Sequence, residues 1–127
     1  MRLLLDTHIL LWALDDNPRL STRARALLAD ASHERWISAV SFWEIAIRVR
    51  LGKVTLGRPL DEIERHALAE GCRALTITIP HARAVENVEC ASTDPFDRML
   101  LAQCEVETLR LLTADAGLRD ARAVIPV

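Results

Sequence analysis

Short apolar runs that stop at one acidic or small polar residue, each followed by a stretch with helical spacing, recur along this chain. Residues 2–5 read RLLL and end at Asp6; THILLWALDD then places apolar residues at helical spacing until Asn17-Pro18 stops it. STRARALLAD opens on Ser21, a favoured cap, and predicts a second helix. RWISA is a short strand that runs into VSFWEIAIRVRLG, a helix that Gly52 can close. Beyond a loop with Gly57 and Pro59, LDEIERHALAEG is an amphipathic helix ending at Gly71. ALTITI, residues 74–79, has the strongest β-propensity in the chain and predicts a strand ended by Pro80. HARAVENVEC and DPFDRMLLAQCEVE read as helices, LRLLTA as an apolar strand, DAGLRDA as a short helix and AVIPV as a last strand.

Strands that alternate with helices and are apolar throughout imply a parallel sheet with helices on both faces, an α/β fold in three layers. In such sheets, sites lie beyond the carboxyl ends of the strands, where the winding reverses. The 127 residues have the size of a single domain, 1–127, and no internal repeat, linker or low-complexity segment interrupts them.

The acids gain meaning from that placement. Asp6 and Asp115 each follow an apolar strand directly, so both are expected at the carboxyl edge. Each is equally well explained as the cap of the helix that follows. In Asp94-Pro95-Phe96-Asp97, Asp94 suits the N-cap, Pro95 the first helical position and Asp97 the third. A second carboxylate there is optional for stability, which favours Asp94 as cap and Asp97 as ligand. Glu44 lies on a helix that is apolar nearly all round, and such a helix is expected to be largely buried. At roughly 100° per residue, Ser41, Glu44 and Arg48 share an arc of about 60°. A plain ion pair between Glu44 and Arg48 four residues on is the alternative to a cation partner. Converging at one pole of the sheet, Asp6, Glu44, Asp97 and Asp115 would repel unless protons or metal ions compensated them. Oxygen-only ligands suit Mg²⁺ or Mn²⁺, and phosphodiester hydrolysis is the natural reaction class.

The remaining composition narrows the field. A net charge of -2 offers no global pull on a polyanion, so nucleic acid must be met by a local patch. Arg48, Arg50, Lys53 and Arg58 form the best local run for RNA phosphates, with a solvated face as the alternative. Cys72, Cys90 and Cys104 lack the pairing and spacing of a disulfide framework or zinc site, and with no membrane-length apolar run the expected home is the cytoplasm. His8, His33, His66 and His81 show no ligand spacing and are expected as ordinary surface or core residues. The sole lysine, Lys53, is misplaced for a phosphoacceptor receiver domain, and Asp6 lacks the second Asp of an aspartyl phosphatase. A non-catalytic interaction module is the remaining alternative.

LLDTHILLWAL, SAVSFWEIAIRVRLGKV, DPFDRMLLAQ and LLTAD, in this order and spacing, resemble the PIN-domain family, most closely the VapC-like toxins of bacterial type II toxin–antitoxin pairs. The likeness covers nearly the whole chain. It implies a five-stranded parallel sheet between helices and Mg²⁺- or Mn²⁺-dependent cleavage of RNA. The family's acidic cluster falls on Asp6, Glu44, Asp97 and Asp115; Thr7 and Ser41 match supporting positions, and Asp94 and Arg98 match motif positions of structural character. Many relatives carry histidines before the DPFDR stretch where this chain reads ECAST, which bears on specificity rather than chemistry. The resemblance also implies a VapB-like antitoxin partner and a homodimer. Trp12, Trp43 and Phe42 are large apolar groups that suit a partner groove or the core.

Overall fold

A computed structural model describes residues 1–127. Five strands, β1 (Arg2–Leu5), β2 (Glu34–Ser38), β3 (Arg73–Leu75), β4 (Arg110–Thr113) and β5 (Val124–Pro126), form one sheet in the order β3-β2-β1-β4-β5, and every pairing is parallel. Six helices connect them: α1 (Thr7–Leu14), α2 (Thr22–Ala29), α3 (Ala39–Arg50), α4 (Leu60–Ala69), α5 (Ile79–Ala84) and α6 (Pro95–Glu107).

Strand alternation sorts the core into two layers. Leu3 and Leu5 of β1 with Leu112 of β4 pack against α1, α2 and α4, whereas Leu4 and Leu111 point the other way onto α5 and α6. The apolar runs RLLL and RLLT are therefore buried on both faces, as a parallel sheet covered by helices requires. This is the three-layer α/β/α arrangement the sequence implied. Winding reverses between β1 and β4, which places Asp6 and Asp115 at the switch point.

Side chains fix the starts of α2, α3 and α6, among others. Ser38 caps α3 through Val40 N–H, Ser21 caps α2 through Ala24 N–H, and Asp94 caps α6 by accepting from Phe96 N–H at 2.8 Å and Asp97 N–H at 3.1 Å. After α3 the chain turns through Gly52 at φ 72°, a conformation that costs glycine nothing.

The strand predicted over ALTITI is cut short in the structure. Only Ala74 and Leu75 belong to β3, and Ile79 already begins α5. Pro80 lies in the first turn of this helix instead of ending a strand. Thr78 accepts from His81 N–H, and Thr78 N–H donates to His81 Nδ1 at 3.1 Å, so a reciprocal cap outweighs the β-propensity of the stretch. His81 is fully buried, and its Nε2 faces Glu107 Oε1 at 3.0 Å. HARAVENVEC is helical only to Asn87, and the predicted DAGLRDA helix shrinks to a single 3₁₀ turn over Ala116–Leu118. The helix α3 also emerges less buried than its composition suggests: Val40, Ser41 and Ile45 are inside, while Trp43 and Val49 are exposed.

Because His81 carries both the α5 cap and the tie to α6, His81→Leu is expected to destabilise the protein by about 2–3 kcal/mol through the unpaired groups it leaves. Ile79→Thr, at a position 76% exposed, should change stability by less than about 0.5 kcal/mol. Urea denaturation checks both, with a lower midpoint and unchanged slope expected for His81→Leu alone.

Candidate active site

At the carboxyl edge of the sheet a cavity of about 260 Å³ is lined by Asp6, Glu44, Asp97 and Asp115, with Asp94, Thr7, His8 and Arg48 completing its polar wall. Four different segments deliver the four acids: the end of β1, the middle of α3, the first turn of α6 and the turn after β4. The expected common pocket is present.

Asp6, 4% exposed, is the deepest. Its backbone N–H continues the sheet by donating to Leu112 C=O at 3.0 Å, and Oδ1 accepts from Thr7 N–H at 2.8 Å. Oδ2 accepts from Thr113 Oγ at 2.6 Å. The same Thr113 oxygen accepts from Asp115 N–H at 3.0 Å, so one hydroxyl links two of the acids. Asp115 Oδ1 in turn accepts from Gly117 N–H at 2.8 Å, so the capping role foreseen for it is also real.

Thr7 Oγ lies 2.8 Å from Glu44 Oε1 and 3.0 Å from Ser41 Oγ. Thr7 has one hydroxyl proton; the charged carboxylate is the stronger acceptor, which leaves Ser41 to donate to Thr7. Ser41 thus holds Thr7, and Thr7 holds Glu44. Its other oxygen takes two contacts from Arg48, Nε at 2.9 Å and Nη2 at 2.8 Å. The ion pair considered as the alternative for Glu44 therefore forms, and it forms inside the cavity.

Asp97 Oδ2 accepts from Ser92 Oγ at 2.9 Å. Ser92 Oγ also accepts from Asp94 N–H, while Arg98 binds the C=O of Val88 at 2.8 Å and of Ser92 at 3.2 Å. Arg98 therefore fastens the loop before α6, a structural task, and Asp94 is the cap. Burial pushes the Asp97 carboxyl up to about 6, against the opposing bond from Ser92 and with the negative charges of Asp94, Asp6 and Asp115 adding to the rise. Burial is the larger cause of this rise, and the neighbouring acids add to it.

The carboxylates face one cavity without closing on one point: no three acidic, histidine or cysteine side chains stand together at metal-ligand spacing. Each acid has its own hydrogen-bond partners: Asp6 has Thr113, Glu44 has Thr7 and Arg48, and Asp97 has Ser92. The donors are all hard oxygens, the set that Mg²⁺ and Mn²⁺ prefer.

Arg50 and Arg58 line an open groove between α3 and α4 that meets the acidic cavity at Val54, and Lys53 is exposed on the same connection. Arg58 lies 3.7 Å from Asp15, leaving Arg50 and Lys53 without an acidic partner. Three polar residues at the site, Thr113, Ser92 and His8, escaped the sequence reading. Thr113 and Ser92 sit in motifs already singled out, but their partners are distant in sequence or across a loop. His8, expected as an ordinary residue, lines the cavity and accepts from Ala114 N–H through Nε2.

The PIN domain profile matches residues 3–124. No curated protein matches the sequence. Among solved structures, VapBC2 from Rickettsia felis, bound to a DNA fragment from its promoter, superposes with TM-score 0.69 at 13% identity, covering 100% of this chain and 98% of that one. A toxin–antitoxin complex from Klebsiella pneumoniae gives 0.63 at 18% identity, with 96% and 94% covered. FitAcB from Neisseria gonorrhoeae gives 0.59 at 22% identity, with 97% and 96% covered. At such identities the likeness is one of fold.

A raised carboxyl pKa has a defined consequence for stability. The native state holds the Asp97 proton more tightly than the unfolded chain, whose carboxyl titrates near 3.8, so this favourable contribution is full below about pH 4 and is lost as the pH rises through about 6. In EDTA, Asp97→Asn should therefore be more stable than the wild type at pH 7.5 by about 1 kcal/mol, discounted for the half-exposed position, or about 4 °C in Tm. The advantage should shrink toward pH 5. Thermal unfolding at the two pH values reads this directly, and a variant less stable at pH 7.5 would refute the raised carboxyl pKa.

Proposed function

The chain belongs to the PIN-domain family, and from that premise we propose that it is a divalent-metal-dependent endoribonuclease acting as the toxin of a bacterial toxin–antitoxin pair. The observation that carries the reading is the delivery of Asp6, Glu44, Asp97 and Asp115 by four separate segments to one cavity at the sheet's switch point. Capping accounts for part of this, but it requires neither Glu44 nor Asp97 to face the others.

Asp6, Glu44 and Asp97 would hold a Mg²⁺ or Mn²⁺ ion, with Asp115 tuning that site, binding a second ion or orienting the attacking water. When bound, the ion supplies a Lewis acid for a phosphate oxygen and a lowered pKa for water. Thr113 and Thr7 keep Asp6 and Glu44 oriented, and Ser92 does the same for Asp97. Arg48 neutralises Glu44 and stands where a phosphate would approach. Arg50, Lys53 and Arg58, along the groove that meets the cavity at Val54, would follow the RNA backbone.

The partners follow from the neighbours' assemblies. An apolar groove between α1, α2 and α4, lined by Leu10, Leu14, Leu20 and Leu28, suits a segment of a VapB-like antitoxin. The exposed apolar side of α3, with Trp43 half exposed, suits a second copy in a homodimer. No helix is long and apolar enough to cross a membrane. The proposed place of action is the cytoplasm. The contrary reading, a non-catalytic PIN-like interaction module, draws on the Glu44–Arg48 pair that already neutralises one acid.

Single-stranded RNA incubated with the protein should be cut only with Mg²⁺ or Mn²⁺ present. Asp6→Asn and Asp97→Asn should each lower the rate by at least about 100-fold while the proteins stay folded by circular dichroism. Cutting that survives both substitutions rejects the site, and a wild type that binds its antitoxin but cuts nothing favours the interaction module. Replacing Arg50, Lys53 and Arg58 by Ala together should make the slope of log Kd against log salt shallower by about 2, measured with Asp97→Asn as background.

A further inference from the structure

His8 lines the cavity wall, and the proposed chemistry leaves it without a task. It occupies the first turn of α1, two residues after Asp6, and its side chain reaches the end of β4. There Nε2 accepts from Ala114 N–H at 3.1 Å. The nitrogen that accepts is the one with the free lone pair, so in the neutral ring Nδ1 carries the hydrogen and faces Asp6 Oδ2 at 3.6 Å. The imidazole also rests against Trp12, with ring centroids 4.9 Å apart and planes inclined by 53°. A ring held by a backbone donor on one edge, a carboxylate near the other and an indole against it has little rotational freedom.

Ala114 immediately precedes Asp115. Its neighbour on the other side, Thr113, donates to Asp6 Oδ2 and accepts from Asp115 N–H. Two straps therefore join the same pair of segments: Thr113 ties the end of β4 to Asp6, and His8 ties the next residue to the first turn of α1. The Ala114–Asp115 turn is thereby tied at two points, to Asp6 through Thr113 and to the first turn of α1 through His8.

We propose that His8 is a positioning residue of the acidic centre, setting Asp115 against Asp6 so that both serve one divalent cation. This rests on the metal-dependent reading of the site. It assigns to His8 no contact with substrate and no proton transfer: its lone pair holds the backbone of Ala114, and the carboxylate that follows is aimed by it. Outer-shell partners of this kind typically change metal affinity by about 10–100-fold when removed.

Two variants separate the strap from simple packing. His8→Leu keeps an apolar body against Trp12 and removes the acceptor, whereas His8→Gln places an amide oxygen close to the position of Nε2. The first measurement needs no metal: amide hydrogen exchange at Ala114 in EDTA should speed up by about 10-fold in His8→Leu and return to within about 3-fold of wild type in His8→Gln. The second is Mn²⁺ titration by calorimetry, where His8→Leu should raise Kd by about 10-fold and His8→Gln should restore it. The third is cleavage kinetics, with kcat reduced in His8→Leu at saturating RNA and KM for RNA unchanged.

Exchange at Ala114 that is unaltered in His8→Leu overturns the strap whatever the metal does. Altered exchange with an unchanged Mn²⁺ Kd shows a purely structural tie and also overturns the proposal. A KM that rises equally in both variants would make His8 an RNA contact instead. If the wild type binds no Mn²⁺, the metal reading itself has failed and the proposal falls with it, an outcome distinguished by the unchanged heat of the wild-type titration.

Discussion

A carboxylate that is nearly fully buried must be met by donors or by a cation, and the arrangement around Asp6 follows from that requirement. Here the donors are Thr7 N–H and the Thr113 hydroxyl, and the second of these comes from the neighbouring strand β4. The three residues Asp6-Thr7-His8 then act in three directions. Asp6 binds β4, Thr7 binds Ser41 and Glu44 of α3, and His8 binds the turn that carries Asp115. Short apolar strands bring these segments to one edge, but the hydrogen bonds of this tripeptide fix how their acids face each other.

The same polar groups explain why so charged a cavity is compatible with a folded chain. Every buried side-chain nitrogen and oxygen has a hydrogen-bond partner. Glu44 is paired with Arg48 and Asp6 is met by two donors, which offsets part of the negative charge. At Asp97 the single side-chain bond from Ser92 does not offset burial and the neighbouring acids. Charge strain of this kind, confined to one group in a cavity, is characteristic of functional sites.

Much of this layout can be read from the sequence because parallel sheets put strand-end residues in predictable places. Asp6 and Asp115 follow apolar runs, Asp94 and Asp97 occupy a capped helix start, and Glu44 interrupts an apolar helix; each position is set by local periodicity, and each acid lines the cavity. Local pattern fails where tertiary partners decide. The TITI stretch has strand character, yet it leaves the sheet because β3 is an edge strand with one neighbour, and the Thr78–His81 cap captures the chain at Ile79. The exposed side of α3 belies its composition for a related reason: an apolar helix is buried only if something covers it. Thr113, Ser92 and His8 could not be weighed from spacing, since what distinguishes them is the atom each one meets across the fold.

Crystals grown with Mn²⁺ and measured at an energy that excites the metal give the most direct measure of whether the four acids share a cation. One anomalous peak within about 2.0–2.3 Å of carboxylate oxygens of both Asp6 and Asp97 is the expected result. A map without a peak in the cavity, at Mn²⁺ concentrations that support RNA cleavage, would contradict it.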